Sequence, residues 1–227
     1  MNPTTLDYHL QSESLAYGSG AYRTDSDAID LDRVKFTNPP SMGCYDGIAF
    51  PRVKITVDED GIATAAMEYD IDGYDIYYTI NDSTPTVESA IKYTTPITLS
   101  GSTMIKAIAV LPNSNTKSRV YAIAYSEPQS DVSSTTQQIQ GYLNSVTDTV
   151  VLSRGTFVTN SPITVTDGKT LLGQGMQNTT ISRTGTTTYT DPGNCVILNN
   201  RATLFGVTVT GGNCPAKWGD GGAGVNI

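Results

Sequence analysis

Few residues in this chain of 227 have types and spacings that could carry chemistry. His9 is the sole histidine, so histidine triads and histidine metal sites lack the partners they need. Cys44, Cys195 and Cys214 form no CxxC pair, and zinc is not expected. Their odd count leaves at least one thiol without an intramolecular partner. Cys195 and Cys214 could face each other, but two buried free thiols are the plainer reading. Asp25, Asp27, Asp30 and Asp32 form an acidic run. A calcium loop starting at Asp25 would need an oxygen ligand at its fifth place and glycine at its sixth. Those places hold Ile29 and Asp30, so the run reads as a solvated turn or strand edge. GDGGAG at 219–224 lacks the Lys-Ser/Thr ending of a phosphate loop, and its glycines read as turns. Trp218, in PAKWGDGG, can lay a flat apolar face on a sugar ring, or cover the edge of an element. Trp218 and Asp220 are the candidate carbohydrate contacts. No metal and no cofactor is expected.

The elements that must position these residues are strands. Thr, Ser, Asn and Gly abound, and thirteen Tyr outnumber four Phe and one Trp. That balance is soluble, β-leaning and rich in loops. No apolar run approaches the roughly 20 residues of a spanning helix. Net charge is -8 with only 14 Lys and Arg, and these are not clustered, so nucleic acid is excluded as a partner. The acidic balance favours solubility and suits an extracellular setting. The start, MNPTTLDYHLQ, shows neither the basic nor the apolar part of a secretory leader. Three readings follow: a cytosolic chain, a processed or excerpted piece of a longer protein, or export by another route such as phage release.

Residues 1–48 give no assignable pattern, and FTNPPSMG reads as a linker. Residues 49–126 read as a strand-rich unit. Val53, Ile55 and Val57 alternate with polar residues, DEDG at 58–61 turns, and IATAAMEY returns. IYYTI at 76–80, the stretch around 104–109 and VYAIAY at 120–125 predict three more strands. The cadence of short strands and turns is that of a small β-sandwich.

Within this unit, IYYTINDSTPTVESAIKYTTPITLSGSTMIKAIAV is similar to the fibronectin-III-associated, chitobiase C-terminal-like repeats. The likeness rests on Tyr77, Tyr78, Thr79, Ser83, Pro85, Thr86, Tyr93, Pro96, Ile97, Leu99, Ile105, Lys106, Ala107 and Ala109. Asn81-Asp82 stands where the family usually has Asp-Gly, and Asp is expected to keep the turn. The resemblance implies an accessory domain of secreted or surface carbohydrate-active proteins, which is more a fold than a function.

SEPQSDVSS at 126–134 is polar, contains a proline and marks a linker over 127–134. A helix over about 135–146 follows. Ser134 with Gln137 has capping-box spacing, and Ile139, Tyr142, Leu143 and Val146 recur at helical steps. Beyond it, ITVTDGKTLLG at 163–173 aligns without gaps on VILNNRATLFG at 196–206. Ile163 falls on Val196, Thr170 on Thr203 and Gly173 on Gly206. Such a unit cannot bury its inner face alone, and stacking on its neighbour solves that. The rival reading is a second sandwich with glycine turns.

The stretch TVVLSRGTFVTNSPITVTDGKTLLGQGMQNTTI resembles the opening of the pectate-lyase-like superfamily. Val150, Leu152, Gly155, Thr156, Phe157, Pro162, Ile163, Val165, Gly168, Thr170, Leu171, Gly173, Gly175, Thr180 and Ile181 carry the match. The resemblance implies an all-β fold: a small β-sandwich followed by the capped N-terminal coils of a right-handed parallel β-helix over 135–227. The helix would cap the open end, and the coils would continue beyond Ile227. Enzymes of that superfamily use carboxylates, calcium and a basic residue on the long face. Here the resemblance offers Asp167, Asp191, Asp220, Arg183 and Lys217. Asp167 aligns with Asn200, so no acidic pair stacks on adjacent coils, and glycoside hydrolysis needs such a pair.

Three functions remain open. The first is a non-catalytic part of a secreted or cell-surface protein, a carbohydrate-associated adhesin or accessory module with polysaccharide as partner. The second is the N-terminal part of a polysaccharide lyase or glycoside hydrolase whose active site lies on later coils. The third is a phage tail spike or fibre component of a virion.

Overall fold

The computed structural model describes residues 42, 50–69, 73–113, 117–184, 193–212 and 225–226. Strands dominate, and the fold is all-β with one helix among the described residues. The first sheet has three strands in the order β1-β2-β5: β1 (Arg52–Val57), β2 (Ala63–Glu68) and β5 (Ile97–Leu99). β1 and β2 pair antiparallel from Arg52↔Glu68 to Val57↔Ala63, closed by the predicted turn at 58–61. The Asp58 carboxylate secures that turn by accepting from the Ile62 amide at 2.8 Å. Strict alternation then puts Val53 and Ile55 inside and Arg52 and Lys54 outside.

The facing sheet begins with β3 (Asp75–Thr79), β4 (Ile91–Lys92), β6 (Thr103–Val110) and β7 (Tyr121–Ser126). These strands pair antiparallel in the order β7-β6-β3-β4. The expected turn at Asn81-Asp82 forms with Asp82 at a φ of 65°. Lys106 anchors it: its Nζ donates to the Asp82 carbonyl and pairs with the Asp82 carboxylate, both at 2.6 Å. β4 and β5 are short strands that the sequence pattern does not announce.

The second sheet does not stop at β7. β7 pairs in parallel with β8 (Thr149–Leu152), which pairs with β11 (Thr170–Leu172), which pairs with β14 (Thr203–Phe205). The result is one seven-stranded sheet in the order β14-β11-β8-β7-β6-β3-β4. Two further parallel sheets follow. One holds β9 (Gly155–Thr159), β12 (Thr179–Arg183) and β15 (Thr208–Thr210). The other holds β10 (Ile163–Val165), β13 (Val196–Leu198) and β16 (Val225–Asn226). From β8 onward the chain visits the three sheets in rotation, so it winds as a three-sided parallel coil. The register repeats the sequence alignment: Ile163↔Val196, Thr170↔Thr203, Leu172↔Phe205.

α1 (Val132–Asn144) connects β7 to β8. Its N-cap is Asp131, whose carboxylate accepts from the Ser134 amide at 2.7 Å, so the cap precedes the expected Ser134 by three residues. The helix ends before Val146, which is 65% exposed. Ser145 and Thr147 stop it by donating their hydroxyls to the Tyr142 carbonyl at 2.6 Å each. Ile139 and Leu143 are fully buried against Val150, Leu152, Phe157, Ile163 and Val165. The helix thus closes the first coil. Gln140 imitates a missing strand: its amide donates to the Thr164 carbonyl at 3.0 Å and accepts from the Thr164 amide at 2.9 Å. A free strand edge is thereby covered.

The sheet's two faces serve two cores. Ile76, Tyr78, Ile105, Ala107, Ile123, Tyr125 and Val151 face the three-stranded sheet. Ala124, Val150, Leu152 and Leu171 face the helix and the coil interior. Between coils the backbones nearly touch at Gly173 and Gly206. A Cβ on Gly173 would collide with the Gly206 carbonyl and lie 2.6 Å from a Val207 methyl. A Cβ on Gly141, in the helix, meets nothing within 4 Å. Gly173→Ala is therefore expected to destabilise by about 1–3 kcal/mol through overpacking. Gly141→Ala is expected to stabilise by about 0.5–1 kcal/mol. Thermal melts of both variants check this, and equal effects would contradict the close inter-coil approach.

Candidate functional site

Of the residues singled out from the sequence, Asp167, Arg183 and Cys195 are described. His9, Cys44, Asp191, Cys214, Lys217, Trp218 and Asp220, the acidic run at 25–32 and GDGGAG at 219–224 lie outside the described residues.

Asp167 sits at the bend after β10, and Arg201 occupies the matching bend one coil on. The Arg201 guanidinium holds Asp167 with two parallel bonds, Nε to Oδ1 at 2.9 Å and Nη2 to Oδ2. Both side chains remain about half exposed. The Arg201 hydrogen bonds hold the Asp167 carboxyl below its ordinary range, against a smaller opposing effect of burial. Asp167 is thus an inter-coil clamp and not a free acid. Arg183 points into the coil, where its Nη1 donates to the Asn194 carbonyl at 2.6 Å and the residue is buried. Cys195 is a buried free thiol whose Sγ donates to the Thr210 carbonyl at 3.0 Å. Burial pushes that thiol up, so it behaves as an apolar core residue. Asp167 and Arg183 are not brought together for chemistry. Among the described residues no three His, Cys, Asp or Glu side chains gather as a metal site would require. No described helix is long and apolar enough to cross a membrane.

The cleft that the sequence reading missed lies on the sandwich. It has a volume of about 880 Å³ and opens over the sheet face that turns away from the sandwich core. Alternation along β3 sends Ile76 and Tyr78 into the core and leaves Asp75 and Tyr77 on the other face. β6 adds Ile108, the register partner of Tyr77, and Val110, the partner of Asp75. Half-buried Tyr77 and buried Ile108 and Val110 form an apolar floor.

Two turns raise the walls. Thr86 heads one: its carbonyl accepts from the Ala90 amide at 2.9 Å, and its hydroxyl accepts from the Ser89 amide at 3.2 Å. Glu88 stands on that turn. Its own backbone amide, with help from the Thr86 hydroxyl, holds its carboxyl below the ordinary range, so it is ionised. The other wall is Leu111 to Asn113 together with Lys117, pinned where the Ser118 amide donates to the Ala109 carbonyl at 2.8 Å. It brings Asn113 and Lys117 to the rim.

Charges of the described residues around the cleft balance. Asp75 accepts from Lys92 at 2.7 Å, and Glu88 feels the opposite charge of Lys117. Among the described residues the arrangement offers an aromatic face, carboxylate and hydroxyl acceptors, and an ammonium donor, with no net charge to select an ion. Its size falls in the range of small-molecule sites. The signal was present in Tyr77, Thr86 and Lys117. They are far apart in the chain, and only the β3–β6 pairing gathers them.

Residues 66–139 match the family described as Fn3 associated. The match takes in the whole cleft and runs past β7 into α1. Among solved structures, the chain is similar to the pectate lyase Pel3 from Pectobacterium carotovorum. That likeness has a TM-score of 0.20 and 12% identity, over 71% of this chain and 68% of that one. No curated protein matches the chain.

The Asp167–Arg201 clamp has a pH signature. The folded carboxyl titrates below its ordinary value of 3.8. Its contribution to stability is therefore complete above that value and is lost as pH falls through the lower folded value. Arg201→Ala is expected to lower the melting temperature slightly at neutral pH, as befits an exposed pair. The gap should close in acid. A gap that persists well below the carboxylate range would show that Arg201 acts by packing alone.

Proposed function

We propose that this chain is a non-catalytic, carbohydrate-associated module of a secreted or cell-surface protein, and that the cleft over Tyr77 receives a neutral glycan. The Fn3-associated match supports the broader part of this reading. The cleft supports the narrower part, and its charge balance is the observation that carries it. A pyranose presents an apolar face of C–H groups and a rim of hydroxyls. The Tyr77 ring matches the face, while Thr86, Glu88, Asn113 and Lys117 match the rim. A polyanion would be repelled by Glu88, and a cation would compete with Lys92 and Lys117. The clamped Asp167 and the interior Arg183 give the coil no acid–base pair among the described residues, which fits binding better than turnover.

Titration calorimetry with neutral chito-, cello- and malto-oligosaccharides tests the reading. One of these series is expected to bind. Tyr77→Ala should weaken binding about tenfold, the worth of one aromatic contact. Tyr77→Phe should retain most of the affinity, and Asp167→Asn should leave it unchanged. Binding that survives Tyr77→Ala intact, or binding only to uronate polymers, would sink the proposal.

A further inference from the structure

The floor of the cleft is a grid. Directly opposed residues of neighbouring strands share a face, so register pairs set two rows of side chains across it. One row runs Lys92–Tyr77–Ile108 across β4, β3 and β6. The next runs Asp75–Val110–Lys117, because Val110 pairs with Asp75 on one side and bridges to Lys117 on the other. Asp75 and Lys117 thus stand two strand spacings apart, about 10 Å between backbones, with buried Val110 between them. Both line the cleft, and they carry opposite charges.

Lys92 acts through Asp75. Its Nζ donates to Asp75 Oδ2 at 2.7 Å, and among the described residues Oδ1 has no hydrogen-bond partner. The pair is exposed, with 30% of the Asp75 side chain and 51% of the Lys92 side chain open, so it adds little to stability. Its effect is to fix a carboxylate that would otherwise swing freely. One oxygen is tied to β4, and the other is left as an acceptor beside Tyr77. β4 is only two residues long, and Lys92 is one of them. At the other end of the row, no ion pair joins Lys117 to Glu88 among the described residues. The Lys117 charge is also the least of the influences on Glu88. The ammonium is therefore available to a ligand.

The two groups ask for different atoms. A carboxylate only accepts hydrogen bonds, and an ammonium only donates them. The ring oxygen of a pyranose carries no hydrogen, so it suits Lys117 and not Asp75. The carbon directly across the ring from that oxygen is C3. With the ring oxygen toward Lys117, the 3-hydroxyl and its neighbour on C2 face Asp75. A sugar linked through its 3-oxygen has no hydrogen there to donate. Loss of a hydrogen bond to a charged group costs about tenfold or more in affinity.

We propose, resting on the glycan reading of the cleft, that Asp75, positioned by Lys92, and Lys117 set the orientation of the sugar on Tyr77. The cleft then takes neutral glycans whose 3-hydroxyls are free and rejects 1,3-linked ones.

Titration calorimetry on the full chain with cello-, malto-, chito- and laminarihexaose tests this. The first three are 1,4-linked, and the last is 1,3-linked. At least one 1,4-linked hexaose is expected to bind about tenfold or more tightly than laminarihexaose. Asp75→Asn, Lys92→Met and Lys117→Met should each remove that preference. Asp75→Asn and Lys92→Met combined should do no more than either alone, because both act at one carboxylate. Lys92→Arg should keep the preference. Melting temperatures of these variants should stay near that of the parent protein, which separates orientation from folding. A preference that survives Asp75→Asn or Lys92→Met, while Tyr77→Ala still weakens binding, would overturn this proposal and leave the glycan reading standing. Equal or tighter binding of laminarihexaose would do the same. Binding of none of the four hexaoses would overturn the glycan reading and this proposal with it.

Discussion

The parallel pairing of β7 with β8 is the constraint on which the rest of the molecule depends. Four register pairs, Ile123↔Thr149 to Ser126↔Leu152, carry the sandwich sheet directly into the first side of the coil. A solenoid cannot end on a bare rung, because its first strands would expose unpaired backbone and an open core. Here the first coil has three edges, and each is covered. β7 takes the edge of β8, and α1 covers the edges of β9 and β10 through Thr136, Gln140 and the buried Ile139 and Leu143. The helix can do this because a parallel pair needs a long crossover, and α1 lies in that crossover. Capping and connection are one solution to one geometric demand.

The same pairing sets two concavities. Because the sheet continues past β7, its sandwich-facing side extends over β8 and β11 further than the three-stranded sheet reaches, which leaves a groove beside β1. At the other end, β3 and β4 form the far margin of the sheet, and the turns at Thr86 and Asn113 rise there around Tyr77. The two concavities lie at opposite ends of one sheet and on opposite faces. Lys169 ties the coil to the helix terminus, donating to the carbonyls of Ser145 at 2.5 Å and Thr147 at 2.7 Å. A cation there also meets the negative end of the helix dipole. Burial lowers its ammonium and the charge of Asp148 works against that, so the junction holds an opposed pair at its rim.

Local signals were legible in the sequence, and non-local ones were not. The gapless alignment of 163–173 on 196–206 is a stacking register written in residues, and the pairs Ile163↔Val196 and Thr170↔Thr203 follow it. The alternation at Val53, Ile55 and Val57 and the DEDG turn gave the first hairpin. Asp82 took the left-handed conformation that its place in the turn demands. By contrast, nothing in VYAIAY says that its edge will be met by a strand more than twenty residues later. The intervening stretch is polar and contains a proline, the same composition that marks a tether. β4 and β5 are too short to carry a period. The helix cap was misplaced because Asp131 and Ser134 both have capping side chains, and only the backbone decides between them. The cleft over Tyr77 was hidden because alternation assigns Tyr77 a face, while the walls arrive from turns about ten and forty residues away.

The sandwich and the coil form one cooperative structure joined through β7 and β8. Hydrogen exchange followed by mass spectrometry across a urea series measures this most directly, comparing segments from β6 and β11. Both are predicted to lose protection at a common midpoint with a common slope, because neither core can lose the shared sheet without exposing the other. Separate midpoints, with β11 opening while β6 stays protected, would contradict the account.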